Sequence, residues 1–162
     1  TECAERPNPL SCEASRMPTF ILGADHGGFQ LKEHLRKTLE RLDIRYEDLS
    51  PDVIEGDDYP PIAQRVARHV AHHREAQGLL ACASGFGMDM AANRVRGARA
   101  AVVRSAAEAR LAREHNHANI LVLGEALTTP AQADQILKTW LDTSPSHAQR
   151  HVRRVHQLDA DL

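Results

Sequence analysis

Gly78-Leu-Leu-Ala-Cys-Ala-Ser-Gly-Phe-Gly-Met-Asp-Met-Ala-Ala-Asn-Arg94 passes through three kinds of structure in one short stretch. Leu79 to Ala81 is an apolar run of the kind that forms a buried strand. Ala83-Ser84-Gly85-Phe86-Gly87 follows as a loop whose two glycines admit backbone angles closed to other residues. From Gly87 the chain reads as a helix, with Met88, Ala91, Ala92 and Val95 at helical spacing. Strand, small-residue loop and helix N-terminus together make an anion site, because free N–H groups point outward and the helix dipole adds positive potential. Cys82 stands at the mouth of that site, and a thiol beside a helix N-terminus is a base as well as a nucleophile. A cysteine after an apolar run is more often an ordinary small buried residue than a catalyst, so both readings of Cys82 stay open here.

The same alternation repeats outward from this stretch. Thr19 to Gly23 reads as a buried strand, followed by Ala24-Asp25-His26-Gly27-Gly28 and a helix with Leu31, Leu35, Leu39 and Leu42 on one face. Ile44 to Glu47 gives a second, shorter strand. Leu49 to Asp58 is acidic and turn-rich, and Tyr59-Pro60-Pro61 opens a helix carrying Ile62, Val66 and Val70. Beyond the central stretch, Arg99 to Val103 is a fourth strand. Ser105 with Glu108 forms a capping box for a helix running to about His115. Ile120 to Leu123 is the fifth strand. Thr129-Pro130 is an N-cap with proline at the first helical position, and Ala133, Ile136, Leu137, Trp140 and Leu141 make the buried face. After Asp142-Thr-Ser-Pro145 a last helix runs from about Ser146 towards Leu158. Short, continuously apolar strands with helical crossovers predict an α/β chain: a three-layer, Rossmann-like fold with a five-stranded parallel sheet flanked by helices. Ligands of such sheets bind beyond the carboxyl ends of the strands. That rule gathers Asp25-His26, Cys82 to Gly87 and the loops after strands four and five onto one edge. The same topology is expected to bring His115 towards it.

Length and charge narrow the function. The 162 residues suit one domain, and 42% hydrophobic with 26% charged residues is an ordinary globular balance. No apolar run approaches the ~20 residues of a membrane span. A net charge of −2 argues against nucleic acid as a partner. Three cysteines, Cys3, Cys12 and Cys82, make no disulfide framework, which points to a reducing, cytoplasmic setting; Cys3 and Cys12 are free to pair in an oxidised preparation. Residues 1–16 carry two prolines, no periodicity and no apolar core of a secretory leader, and read as an irregular extension before a single domain over 17–162, with Met17 an internal start.

Asp25-His26 follows strand one where a dinucleotide fingerprint would want bare glycine backbone. Charged, hydrogen-bonding side chains there favour a small polyhydroxylated ligand, although Asp25 also suits a plain helix cap. His115-Asn116 closes the helix after strand four, and a histidine at a helix C-terminus suits a general acid. His69, His72, His73 and His117 read as solvated surface. The final helix carries Arg150 and Arg154 at i, i+4, a pair that suits a phosphate or is simply a basic solvated face.

Six segments in order carry a resemblance. They are Gly23-Ala-Asp-His-Gly-Gly28, Asp58-Tyr-Pro60, Cys82-Ala-Ser-Gly-Phe-Gly87 with Ala91-Ala-Asn-Arg94, Gly97-Ala-Arg99, Arg113-Glu-His-Asn116 and Arg150-His-Val-Arg-Arg154. Over about residues 18 to 158 the chain resembles the type B ribose-5-phosphate isomerases and the wider family that includes galactose-6-phosphate isomerase subunits. The resemblance implies an aldose–ketose isomerase without metal or cofactor, a homodimer or tetramer whose active sites combine two subunits. It implies Cys82 as the base moving a proton between C1 and C2, with Ser84 orienting the reacting oxygen. Backbone N–H groups of Ala83, Gly85, Phe86 and Gly87 would stabilise the enediolate. His115 would open the furanose ring, Asn116, Asp25 and Tyr59 would hold hydroxyls, and His26 with Arg150 and Arg154 of the partner would hold the phosphate. Two departures stand out. Ala83 occupies a position usually glycine, and Ala126 one where the family commonly places a phosphate-binding arginine. The alternatives are another C4–C6 sugar phosphate, a free sugar, or a binding module without catalysis. Retention of Cys82, His115 and Asn116 together speaks against the last.

Overall fold

Five strands and six helices follow one another in the order the apolar runs dictate, in a computed structural model that describes residues 17–160. The strands are β1 (Thr19–Ala24), β2 (Tyr46–Asp48), β3 (Ala76–Cys82), β4 (Ala100–Val102) and β5 (Ile120–Gly124). The helices are α1 (Phe29–Arg41), α2 (Tyr59–His72), α3 (Phe86–Ala92), α4 (Ala106–Asn116), α5 (Pro130–Asp142) and α6 (Gln149–Asp159). The irregular extension expected over 1–16, with Cys3 and Cys12, lies outside the described residues.

All neighbouring strands pair in parallel, in the order β2-β1-β3-β5-β4. The three inner strands are the continuous apolar runs, because both of their faces are covered. The two edge strands are only three residues long and partly exposed. Phe20, Leu22, Leu79, Leu121 and Leu123 face one layer of helices, where they meet Leu35, Ile136 and the fully buried Trp140 of α1 and α5. Ile21, Leu80, Cys82, Ile120 and Val122 face the other, where they meet Val66 of α2 and Met88 of α3. The three-layer α/β expectation is borne out.

Boundaries differ where a helix end or a side chain takes the backbone groups. The second strand starts at Tyr46 rather than Ile44, because Asp43 takes a left-handed turn (φ 55°) and Ile44 donates its N–H back to Leu39. The last helix starts at Gln149 rather than Ser146. Ser146 Oγ accepts the Ala148 N–H at 3.1 Å, and the Ser146 N–H leaves for the Glu114 carbonyl. The capping box at Ser105 forms by half: Ser105 Oγ takes the Glu108 N–H, while the Glu108 carboxylate reaches one residue further back, to the Arg104 N–H at 2.6 Å. At Thr129 both halves form with Gln132, and Pro130 occupies the first helical position.

Candidate active site

The strand order makes a crevice between β1 and β3. From β1 the chain leaves for β2 on one side, and from β3 it leaves for β4 on the other, so the two loops diverge at a topological switch point. One loop is Asp25 to Gly28; the other is Ala83 to Gly85. They touch through backbone: a Cβ added at Gly28 would lie 2.2 Å from the Ala81 carbonyl carbon and 2.4 Å from the Cys82 nitrogen. Gly85 has φ +85°, and a Cβ there would meet Val102 Cγ2 at 2.7 Å. Ala83, the departure from glycine, is accommodated because its Cβ faces Gly27, which has none.

Cys82 ends β3 on the α2–α3 face. It is 5% exposed, and its Sγ accepts the Gly85 N–H at 3.1 Å. Ser84 is half-buried, with its carbonyl packed closely on Gly124. Phe86 and Gly87 begin the next helix. The Tyr59 ring, at the start of α2, lies directly over Gly87, and an open groove beside them is lined by Pro60, Gln64, Met90 and Arg94. Phe86 and Met90 are exposed apolar side chains on this edge, together with Tyr59, Val53, Ile54 and Leu127.

Asp25 is buried, and burial pushes its carboxyl above the usual carboxylate range. It does not cap α1. Its Oδ1 accepts the Gly27 N–H at 3.0 Å, and α1 is capped instead by Glu125 from beyond β5, which accepts the Leu31 N–H at 2.9 Å. His26 is exposed beside it. Both its backbone N–H and its Nδ1 lie 2.9 Å from Asp57 Oδ1, and that bond holds the imidazole above its ordinary range.

Sequence reasoning missed Lys32. It is fully buried, with Nζ 2.6 Å from Asp48 Oδ2, 2.7 Å from the Ser50 carbonyl and 3.1 Å from Glu33. Ser50 Oγ in turn accepts the Ala24 N–H at 2.8 Å, so a buried lysine braces the segment after β2 against the end of β1, next to Asp25. The signal was its phase, since Lys32 is three residues before Leu35 and seven before Leu39, on the buried stripe. Arg104 is exposed and pairs with Glu108. Ala126 is exposed beside the crevice, its N–H bound to the Ala83 carbonyl at 3.0 Å.

His115 and Asn116 are elsewhere, and the expectation that topology brings His115 to the carboxyl edge is corrected. A crossover helix runs antiparallel to its strands, so the C-terminus of α4 returns to the amino edge. Asn116 lines a cleft with Arg99 and Ala100, at the start of β4. There α6 packs across α4: the buried His151 ring lies 4.4 Å from that of His115, centroid to centroid. Burial and the neighbouring charges of Arg150, His115 and Arg154 push the His151 imidazole down. Arg150 and Arg154 are exposed on the same helix. One chain thus carries its candidate residues in two groups, at opposite ends of the sheet. Among the described residues no three His, Cys, Asp or Glu side chains converge as a metal-binding set, and no helix is long and apolar enough to cross a membrane.

Comparison with known proteins agrees with this arrangement of loops and strands. The family model described as Ribose/Galactose Isomerase matches residues 20–158. The chain belongs to this isomerase family. Ribose-5-phosphate isomerase B of Mycobacterium tuberculosis is 39% identical over 145 residues, covering 85% of each chain. Among solved structures, a ribose 5-phosphate isomerase from Thermotoga maritima superposes with a TM-score of 0.84 at 39% identity, over 89% of this chain and 99% of that one. Ribose-5-phosphate isomerase B from Mycoplasma genitalium, solved with bound ribulose-5-phosphate, gives 0.82 at 34% identity, over 87% and 93%. The present isomerase is accordingly a sugar-phosphate aldose–ketose isomerase, as the resemblance in its motifs implied.

Proposed function

We propose that this isomerase interconverts ribose 5-phosphate and ribulose 5-phosphate through a cis-enediolate, with Cys82 as the base. The observation that carries the reading is a buried thiol at the switch-point crevice, hydrogen-bonded to the Gly85 N–H, on a loop packed against the one that holds Asp25 and His26. The thiolate is the form of cysteine that removes a proton. Cys82 takes the proton from C2 of the open-chain aldose and returns it to C1, while the proton of the C2 hydroxyl passes to the C1 oxygen. Negative charge develops meanwhile on the C1 oxygen, within reach of the N–H groups of Ala83 to Gly87, with Ser84 orienting that oxygen. Asp25 and Tyr59 hold sugar hydroxyls, and His26 meets the phosphate.

Ring opening needs an acid, and in this reading His115 supplies it, with Asn116 beside it. Because these residues lie at the amino edge, they come from a second copy of the chain, and so do Arg150 and Arg154 on the phosphate. A homodimer seating the amino edge of one copy on the carboxyl edge of the other would also cover Val53, Ile54, Phe86, Met90 and Leu127. The bound ribulose-5-phosphate of the Mycoplasma genitalium relative supports the substrate class. Ala126 favours a second reading, the same chemistry on another C4–C6 sugar phosphate, because this position beside Ala83 carries no cation.

The test is turnover against a panel of C4 to C6 aldose phosphates in deuterated water. Ribose 5-phosphate should give the highest kcat/KM, with deuterium entering at C2 of recovered aldose. A better tetrose or hexose phosphate would establish the second reading. Turnover without exchange into aldose or ketose would point to a hydride shift and remove the role of Cys82.

A further inference from the structure

The acidic segment between β2 and α2 contributes one side chain that the chemistry above does not use. Asp57 Oδ1 receives two bonds from a single residue, the backbone N–H and the Nδ1 of His26, each at 2.9 Å. The segment is fastened at its root, since Lys32 binds Asp48 and the Ser50 carbonyl while Ser50 holds the Ala24 N–H. A ring whose Nδ1 donates to a carboxylate presents Nε2 on its far side, and among the described residues nothing takes Nε2.

We propose that Asp57 is a positioning residue for phosphate recognition: its carboxylate fixes the His26 ring at Nδ1 and sets a negative charge against it, so that the Nε2–H of the imidazolium donates to the phosphoryl group of the substrate. The proposal rests on the sugar-phosphate reading given above. Besides Asp57, the carboxylates of Asp25 and Glu55 favour the imidazolium. Glu125, on the adjoining turn after β5, is engaged at the Leu31 N–H, and the Lys32 charge is taken up by Asp48 and Glu33. The β3–α3 loop brings only Ala83 and Ser84, without charge, beside the Cys82 thiol. A phosphate monoester becomes a dianion above about pH 6. An imidazolium held above its ordinary range therefore overlaps with the dianion over a wider window, which closes as pH rises through the His26 ionisation.

Asp57→Asn tests this in the whole enzyme, because asparagine still accepts the His26 backbone N–H but carries no charge. Near pH 8, KM for ribose 5-phosphate should rise about tenfold while kcat stays within about twofold, the signature of a binding contact rather than of chemistry. The alkaline limb of kcat/KM should move to lower pH. A nitrogen-15 titration of the His26 imidazole should show its midpoint falling in Asp57→Asn and recovering in Asp57→Glu. Identical midpoints in wild type and Asp57→Asn, in an active enzyme, overturn the role of Asp57 alone. A lower midpoint with an unchanged KM removes His26 from the phosphate and overturns the proposal. Wild type inactive on every sugar phosphate brings it down together with the reading beneath it.

Discussion

The two edges of the sheet are built by different means. At the carboxyl edge, besides the side-chain links of Lys32, Glu125 and Asp57, backbone packs on backbone: Gly28 sits on the Ala81–Cys82 peptide, Gly124 on the Ser84 carbonyl, and Gly85 takes a left-handed turn. At the amino edge long side chains span the gaps. Arg99 binds Asp159 at 2.7 Å and the His117 carbonyl at 3.1 Å, Arg113 reaches the Ala118 carbonyl, and Asn119 Oδ1 accepts the Arg99 N–H. The difference follows from what each edge holds. In the proposed reading, a thiol and a ring of N–H groups that meet the substrate need fixed main chain, with no Cβ in the way. At the amino edge the partly exposed Arg99–Asp159 pair is a longer, individually weaker link, screened by water.

The largest expected effect breaks the carboxyl edge chemically. Cys82→Ala should lower kcat by about 10²–10⁴-fold, the range for losing a general base, with an unchanged melting temperature. Persistence of C2 deuterium exchange at the wild-type rate would reassign the base.

Next come the arginines of α6. Arg150→Ala and Arg154→Ala should each raise KM for a phosphorylated substrate about ten- to a hundredfold, as befits charged hydrogen bonds of ~1.5–3 kcal/mol, with little effect on an unphosphorylated sugar. The same variants test whether the two edges meet between copies. Cys82→Ala mixed with Arg150→Ala/Arg154→Ala should regain about a quarter of wild-type activity if hybrids form at random, since half the dimers would then hold one intact composite site. Confirmed hybrids without recovery would mean that both groups act within one chain.

Stability sharpens the contrast between backbone and side-chain construction. Gly28→Ala forces a Cβ into main chain and should cost about 1–3 kcal/mol or more in urea unfolding, with a parallel loss of activity as the Cys82 loop moves. Asp159→Asn, which removes one partner of a partly exposed ion pair, should cost only about 0.2–1 kcal/mol, and less still in high salt. Equal costs at the two positions would erase the distinction.

Much of the candidate site's local structure was legible because local rules made it so. Strand, small-residue loop and helix around Cys82 follow from an apolar run, two glycines and helical spacing, all within one stretch of chain. His115 was misplaced because the rule that ligands bind at the carboxyl edge was applied to the wrong end of its helix. Lys32 and Asp57 escaped notice because neither has meaning alone. Lys32 needs Asp48 from the end of β2 and Ser50 from the segment after it, and Asp57 needs His26 from another loop.

The sequence by itself determined the element types, the parallel sheet with helices on both faces, and the residues able to do proton chemistry, because periodicity, glycine placement and side-chain type are local properties. Only the tertiary structure decided the strand order that opens the crevice between β1 and β3, the seating of Glu125 on α1, and the division of the candidate residues between two edges. Those depend on which strands pair and which way each crossover returns, and pairing energy between distant segments is set when they meet rather than by either alone.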